Sequence, residues 1–224
     1  MTNSTVRNLG LGMMLTFAFS RMAIAKETSA NRTITLRVYN NATVPDKTWM
    51  EAEREVTRIF AKLRVKATWA GALTVQADAP YDFSLAVIIL NRSAAALLPR
   101  SKTAMGHTPQ GEDIKQGRVT YIFYDRVEDF THTFQQRSVA TDNVHTLAYT
   151  IAHEIGHLLL PSEPHSLTGI MRCSWELDDF KHMINGELSF GPQWGELIKD
   201  AVLRRSQEIA QTMTGGQELR KKIG

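Results

Sequence analysis

Residues 152–171 read AHEIGHLLLPSEPHSLTGIM, and the fold turns on whether the first half of this stretch is a buried helix. Two histidines stand four apart, with a glutamate behind the first. On a helix, positions i and i+4 differ by about 40° in direction and about 6 Å along the axis, so His153 and His157 project two imidazoles toward one point. Glu154 lies one step round from His153, which sets its carboxylate beside that point. Upstream, Asp142 or Asn143 supplies N-cap chemistry. Downstream, Pro161 ends the helix at Leu160, because a residue before proline is pushed out of the α region. A bare HExxH also arises by accident on amphipathic helices, with one histidine in the core and one in solvent. Here Thr150, Ile151, Ala152, Ile155, Gly156, Leu158 and Leu159 are all uncharged, as a helix that carries a metal site into a core requires.

Two imidazole nitrogens, a third protein ligand and a fourth position open to water suit Zn²⁺, which lowers the pKa of such a water to about 7. Glu154 is then the expected general base, taking a proton as water attacks a carbonyl and returning it to the leaving amine. The third ligand follows the helix, and two residues compete for it. Glu163 gives a His₂Glu set, which is sound for zinc. His165 gives three histidines; Pro161 forces the chain out of the helix and Pro164 stiffens its return, which accommodates a longer path to the ligand.

Outside this block, 224 residues with 43% apolar and 22% charged content describe one ordinary globular domain. Arg7, the apolar run Leu9 to Phe19 and Ala23-Ile24-Ala25 read as a cleaved secretory signal over residues 1–25. The run is shorter than the roughly 20 residues that span a bilayer. The expected mature protein is therefore exported, periplasmic or extracellular, with no stable membrane span. Residues 26–214 form the expected catalytic domain. A flexible tail at 215–224 begins with Gly215-Gly216 and carries Arg220-Lys221-Lys222 into solvent.

Loss of Arg7 and Arg21 with the signal lowers the formal net charge from +3 to +1. No arginine and lysine stripe interleaved with aromatics stands out, so nucleic acid is not an expected partner. Cys173 is the only cysteine and cannot form an intrachain disulfide; it is expected to be a buried structural thiol. A monomer acting on peptides or proteins is expected.

Thr33 to Tyr39 alternates and is β-branched, as a strand requires. Trp49, Ala52, Val56, Ile59, Phe60 and Leu63 recur at helical spacing after Pro45 and Asp46, predicting a helix over 46–63. Lys66 to Trp69, Phe83 to Leu90 and Arg118 to Tyr124 read as further strands, with Met105 to Thr108 a short edge. Pro192 opens a closing helix to about Met213 through Trp194, Leu197, Ile198, Ala201, Val202 and Ile209. The order is that of an α+β domain.

HEIGH, a third histidine, Ser166 and Gly169-Ile170-Met171 resemble the short-spacer, Met-turn region of matrixin-like members of the metzincin clan of zinc endopeptidases. LRVYN at 36–40, TRIF at 57–60, YIFYDRV at 121–127 and HEIGHLLL followed by HS and GIMR are similar to a group of small exported bacterial proteins of this type. The resemblance implies a twisted, mostly parallel sheet of about five strands, an active-site helix, a Met-turn and a C-terminal helix. It implies Met171 as a hydrophobic floor beneath the zinc, although an ordinary core methionine fits the position too. It also implies a peptide along the edge strand, with Met105, Gly106 and His107 binding substrate. The order of ligand, serine and Met-turn favours His165 over Glu163. Leu160 and Glu163 stand where the clan has glycine and a ligand, and Pro161 stands where the closer group has glycine.

Of the other histidines, His107 faces either the cleft or the surface, and His132, His145 and His182 read as structural or solvated. Asp178 and Asp179 read as a paired acidic loop. The expected function is an exported zinc-dependent endopeptidase. A zinc-containing peptide-binding module of little or no activity is the alternative, and hydrolysis of a non-peptide amide is a third reading.

Overall fold

A computed structural model describes residues 32–71, 83–98, 103–109, 118–136, 142–160 and 165–223. The expected signal and the stretch holding Pro161, Glu163 and Pro164 lie outside these residues. Beyond Thr212 the helical path alone is described.

Strand β1 (Thr33–Asn40) buries Ile34 and Leu36 and turns Thr33, Thr35 and Arg37 the other way, the period-2 outcome of its alternation. Helix α1 (Asp46–Lys62) starts after Pro45, whose carbonyl accepts the Trp49 N–H, and buries Ala52, Val56, Ile59 and Phe60. It carries the chain across to β2 (Lys66–Gly71), parallel to β1. Strand β3 (Ser84–Leu90) lies parallel on the other side of β1 and buries Leu85, Val87 and Ile89. A one-turn helix, α2 (Arg92–Ala95), follows, capped by the Asn91 side chain on the Ala94 N–H.

Strand β5 (Val119–Phe123) is parallel to β3, and the two-residue β4 (Gly106–His107) closes the edge antiparallel to it. The sheet order is β2-β1-β3-β5-β4, so the expected five-stranded, mostly parallel sheet forms. The chain enters α3 (Tyr124–Gln135) directly from β5, where the sequence reading had no helix. Val127, Thr131 and Phe134 are buried at helical spacing, and Phe130 and Phe134 pack on Phe180.

Helix α4 (Asn143–Leu159) is capped by Asp142, whose side chain accepts the Val144 N–H at 3.0 Å. Every residue from Thr146 to Leu160 is buried, because the helix is covered by the sheet on one side and by α1 and the later helices on the other. Helix α5 (Leu177–Ile184) replaces the expected acidic loop. Asp179 there accepts the Glu176 N–H and pairs with Arg172 at 2.6 Å, so its charge caps a helix start. Helix α6 begins at Pro192 as expected but runs past Met213 and the glycine pair (Pro192–Ile223). Among the described residues no helix is long and apolar enough to cross a membrane.

Candidate metal centre

His153 and His157 sit one turn apart on α4, and His165 returns toward them from beyond its end. The His157 Nε2 lies 3.1 Å from the His153 Nε2 and 3.2 Å from the His165 Nε2. Their three ligand atoms all fall within 4.8 Å of one another. Three nitrogens held at 2.0–2.1 Å by one tetrahedral ion stand about 3.3–3.4 Å apart. The two measured separations come within about 0.3 Å of that edge, so the triad can hold a metal ion.

The donor chemistry agrees. The His153 Nδ1 is 2.7 Å from the Ile170 carbonyl oxygen, an acceptor only, so Nδ1 carries the proton and Nε2 keeps its lone pair toward the other two rings. The His157 Nδ1 is buried and has no hydrogen-bond partner among the described residues. Burial drives the His153 pKa down to about 4, against the Ile170 bond and with the His165 ring. Burial, then the His153, His165 and His107 rings, take His157 to about 3. Burial also lowers His165. All three imidazoles are therefore neutral near pH 7, the state a metal ligand needs.

Two features hold the helix in place. At Gly156 a Cβ would lie 2.4 Å from the Met171 Sδ, so the glycine of HEIGH lets fully buried Met171 rest directly against α4 beside His157. The Arg205 guanidinium, from α6, donates to the Leu158 carbonyl at 2.6 Å and completes the last turn of α4. The segment between His165 and Trp175 is a tight turn. Ser166 N–H donates to Met171 O, Ile170 N–H to Ser189 O, and Arg172 N–H to Gly169 O. Gly169 has φ +76°, and a Cβ there would lie 2.4 Å from the Ser189 carbonyl oxygen. Trp175 stands edge-on to His153 with ring centroids 5.7 Å apart.

Glu154 is buried against the sheet edge. Burial pushes its carboxyl up to about 7, against the pull of two threonine hydroxyls, Thr108 and Thr120. A cavity of about 740 Å³ opens over this group, and its walls include Met105, Gly106, His107, His153, Glu154, His157 and His165. The residues singled out from sequence thus surround one space, with Met171 beneath α4. Glu163 falls outside the described residues, whereas His165 joins the triad from an exposed position.

Cys173 corrects the sequence reading: it is exposed on the cavity rim. Arg172 turns to Glu176 and Asp179 and Trp175 takes the buried place, which leaves the thiol outward. His132 and His182 are exposed, and His145 is half-buried. Sequence reasoning missed Thr108, Thr120 and Trp175. A threonine at position 120, facing inward beside Ile122 in an otherwise apolar register, was the available signal. The chain matches no protein-family model, no curated protein and no solved structure, so the chemistry of this centre is read from its geometry alone.

Proposed function

We propose that the protein is an exported zinc-dependent endopeptidase of metzincin type, with His153, His157 and His165 as ligands and Glu154 as general base. One observation carries the reading: the Nε2 atoms of His153 and His165 stand 3.1 and 3.2 Å from that of His157, all three ligand atoms within 4.8 Å, in the same cavity as a buried carboxyl one helical step away. A Zn²⁺ ion held there supplies Lewis acidity that lowers the pKa of a water and polarises a carbonyl.

The chain's own residues supply the rest. Glu154, buried beside the triad and held by the Thr108 hydroxyl at 2.7 Å, is placed to take a proton and give it back. Met105, Gly106 and His107 form the wall along the sheet edge. A peptide in extended form adds along the outer side of β4 by main-chain hydrogen bonds and brings its scissile carbonyl over the triad. Gly106 is a poor place to test this pose, since any Cβ there would lie 2.5 Å from the Glu154 Cγ and would disturb the base. Backbone N-methylated substrates test it without altering the chain.

The deciding experiment measures metal content and cleavage of an unbiased peptide library by the wild type and by Glu154→Gln. The expected result is one zinc per chain in both and a rate about 10²- to 10⁴-fold lower in the variant. Equal rates with zinc retained overturn the role of Glu154. Zinc without cleavage in either protein overturns the peptidase reading and favours the peptide-binding module.

A further inference from the structure

Among the described residues the carboxyl of Glu154 is gripped from the sheet edge by one oxygen. In the antiparallel pairing of β4 and β5, His107 stands opposite Tyr121, which brings Thr108 opposite Thr120. Their hydroxyls are 2.9 Å apart and both residues are buried. Side chains alternate along a strand, so Gly106 and Thr108 face the same way, toward α4. The Glu154 side chain fills the space beside Gly106 and ends on Thr108, whose Oγ1 is 2.7 Å from Oε2. Thr120 Oγ1 is 3.4 Å from the same oxygen. Oε1 makes no hydrogen bond among the described residues.

Each hydroxyl has a single proton to give, and counting protons assigns the bonds. The shortest contact gives the Thr108 proton to Oε2 rather than to the Glu154 carbonyl oxygen at 3.1 Å. The Thr120 proton then goes to the Thr108 oxygen, or to the His107 carbonyl at 3.2 Å. Where the Thr120 proton goes to the Thr108 oxygen, Thr108 both accepts and donates, and a hydroxyl that itself accepts a hydrogen bond is a stronger donor. A carboxyl without such a hold exchanges its two oxygens by rotation about its last torsion, which is broad.

We infer that Thr108, backed by Thr120, is a positioning residue that holds Glu154 by Oε2 and reserves Oε1 for the proton of the attacking water. The inference rests on the peptidase reading above. As the water oxygen bonds to the scissile carbon, the carbonyl π pair moves onto the carbonyl oxygen and one water proton passes to Oε1. As the C–N bond then breaks, that proton leaves Oε1 for the departing nitrogen. Oε2 is an acceptor in both forms, first as carboxylate oxygen and then as the C=O of the acid. Thr108 keeps its own proton and its bond throughout, so the carboxyl does not have to be re-aimed between the two transfers.

The test compares Thr108→Val and Thr108→Ser in the full chain as purified, with Thr108→Ala in place of the valine variant if that does not fold. The valine variant should lose about 10- to 100-fold in kcat with KM and zinc content unchanged, and the serine variant should recover most of it. In a Glu154→Gln background the valine substitution should cost no further activity. A valine variant within twofold of wild type, or a serine variant as impaired as valine, overturns the inference. Thermal unfolding gives a readout independent of hydrolysis. Thr108→Val should lower Tm in the Glu154 protein clearly more than in Glu154→Ala, and equal losses in the two backgrounds overturn the hold. A wild type that cleaves nothing but shows this coupling rejects the peptidase reading and leaves the Thr108 to Glu154 grip standing.

Discussion

The two halves of the histidine triad are held by opposite means. His153 and His157 stand on a helix that is buried for every residue from Thr146 to Leu159, capped at its start by Asp142 and at its end by Arg205. His165 is exposed and sits at the head of a turn that keeps its shape through main-chain bonds from Ser166, Ile170 and Arg172. The helix fixes the spacing of two imidazoles through the regularity of its backbone. The third imidazole depends on the path the chain takes after the helix ends. A metal centre built this way has a rigid pair and a placed partner, and the two kinds of position should answer differently to mutation.

The largest difference should appear in metal affinity. His157→Ala removes one of the preorganised pair and should weaken zinc binding by more than the roughly 10- to 100-fold typical of losing a supporting hydrogen bond. His165→Ala leaves the rigid pair intact and should weaken it less, while still abolishing peptide cleavage. Glu163→Ala should leave both zinc and most of the activity. Competition titration against a zinc chelator on folded protein ranks the three. A weaker site in His165→Ala than in His157→Ala breaks the comparison, and zinc loss in Glu163→Ala moves the third ligand to Glu163.

A smaller effect probes what presses on the helix. Gly156→Ala places a Cβ 2.4 Å from the Met171 Sδ and 3.3 Å from the Phe190 ring. Overpacking of this kind costs about 1–3 kcal/mol. Scanning calorimetry should show a Tm lower by several degrees, with zinc affinity reduced because His157 is the next residue. An unchanged Tm would falsify the close seating of Met171 against α4.

The smallest effect expected is none. Cys173→Ser changes an exposed thiol on the rim, and Tm, zinc content and kcat should all match the wild type. A fall in zinc content would bring the thiol into the metal chemistry and enlarge the partner side of the triad.

The same contrast governs what could be read from the sequence. The helix pair follows from a spacing of four and a run of uncharged neighbours, because helical periodicity maps sequence distance directly onto direction. Strands β1 and β3 and helix α1 were legible for the same reason, through alternation in the strands and recurrence at Ala52, Val56 and Ile59. Elements whose identity depends on what they meet were not. Helix α3 carries Val127, Phe130 and Phe134 at helical spacing, yet it begins at the last residue assigned from sequence to the preceding strand. Helix α5 hides behind Asp178-Asp179, since two adjacent acids signal a solvated loop until Arg172 and the Glu176 N–H are seen to engage Asp179. Cys173 was misjudged on composition alone, because burial of a single thiol depends on which way a turn rotates it. Thr108 and Thr120 are 12 residues apart, and only the antiparallel pairing of their strands gives them a shared role.

The carbonyl that sets the His153 tautomer belongs to the main chain of Ile170, and this has a consequence for how the centre tolerates inherited change. No substitution of a side chain removes that acceptor, so drift at position 170 is buffered provided the turn keeps its course. The vulnerable side of the lock is one residue earlier. Gly169 holds φ +76° with the Ser189 carbonyl oxygen 2.4 Å from where a Cβ would stand, a conformation that other residues enter only with strain. A single-base change at that codon would reach the imidazole of His153 through backbone alone, touching neither the histidine nor any residue that lines the cavity.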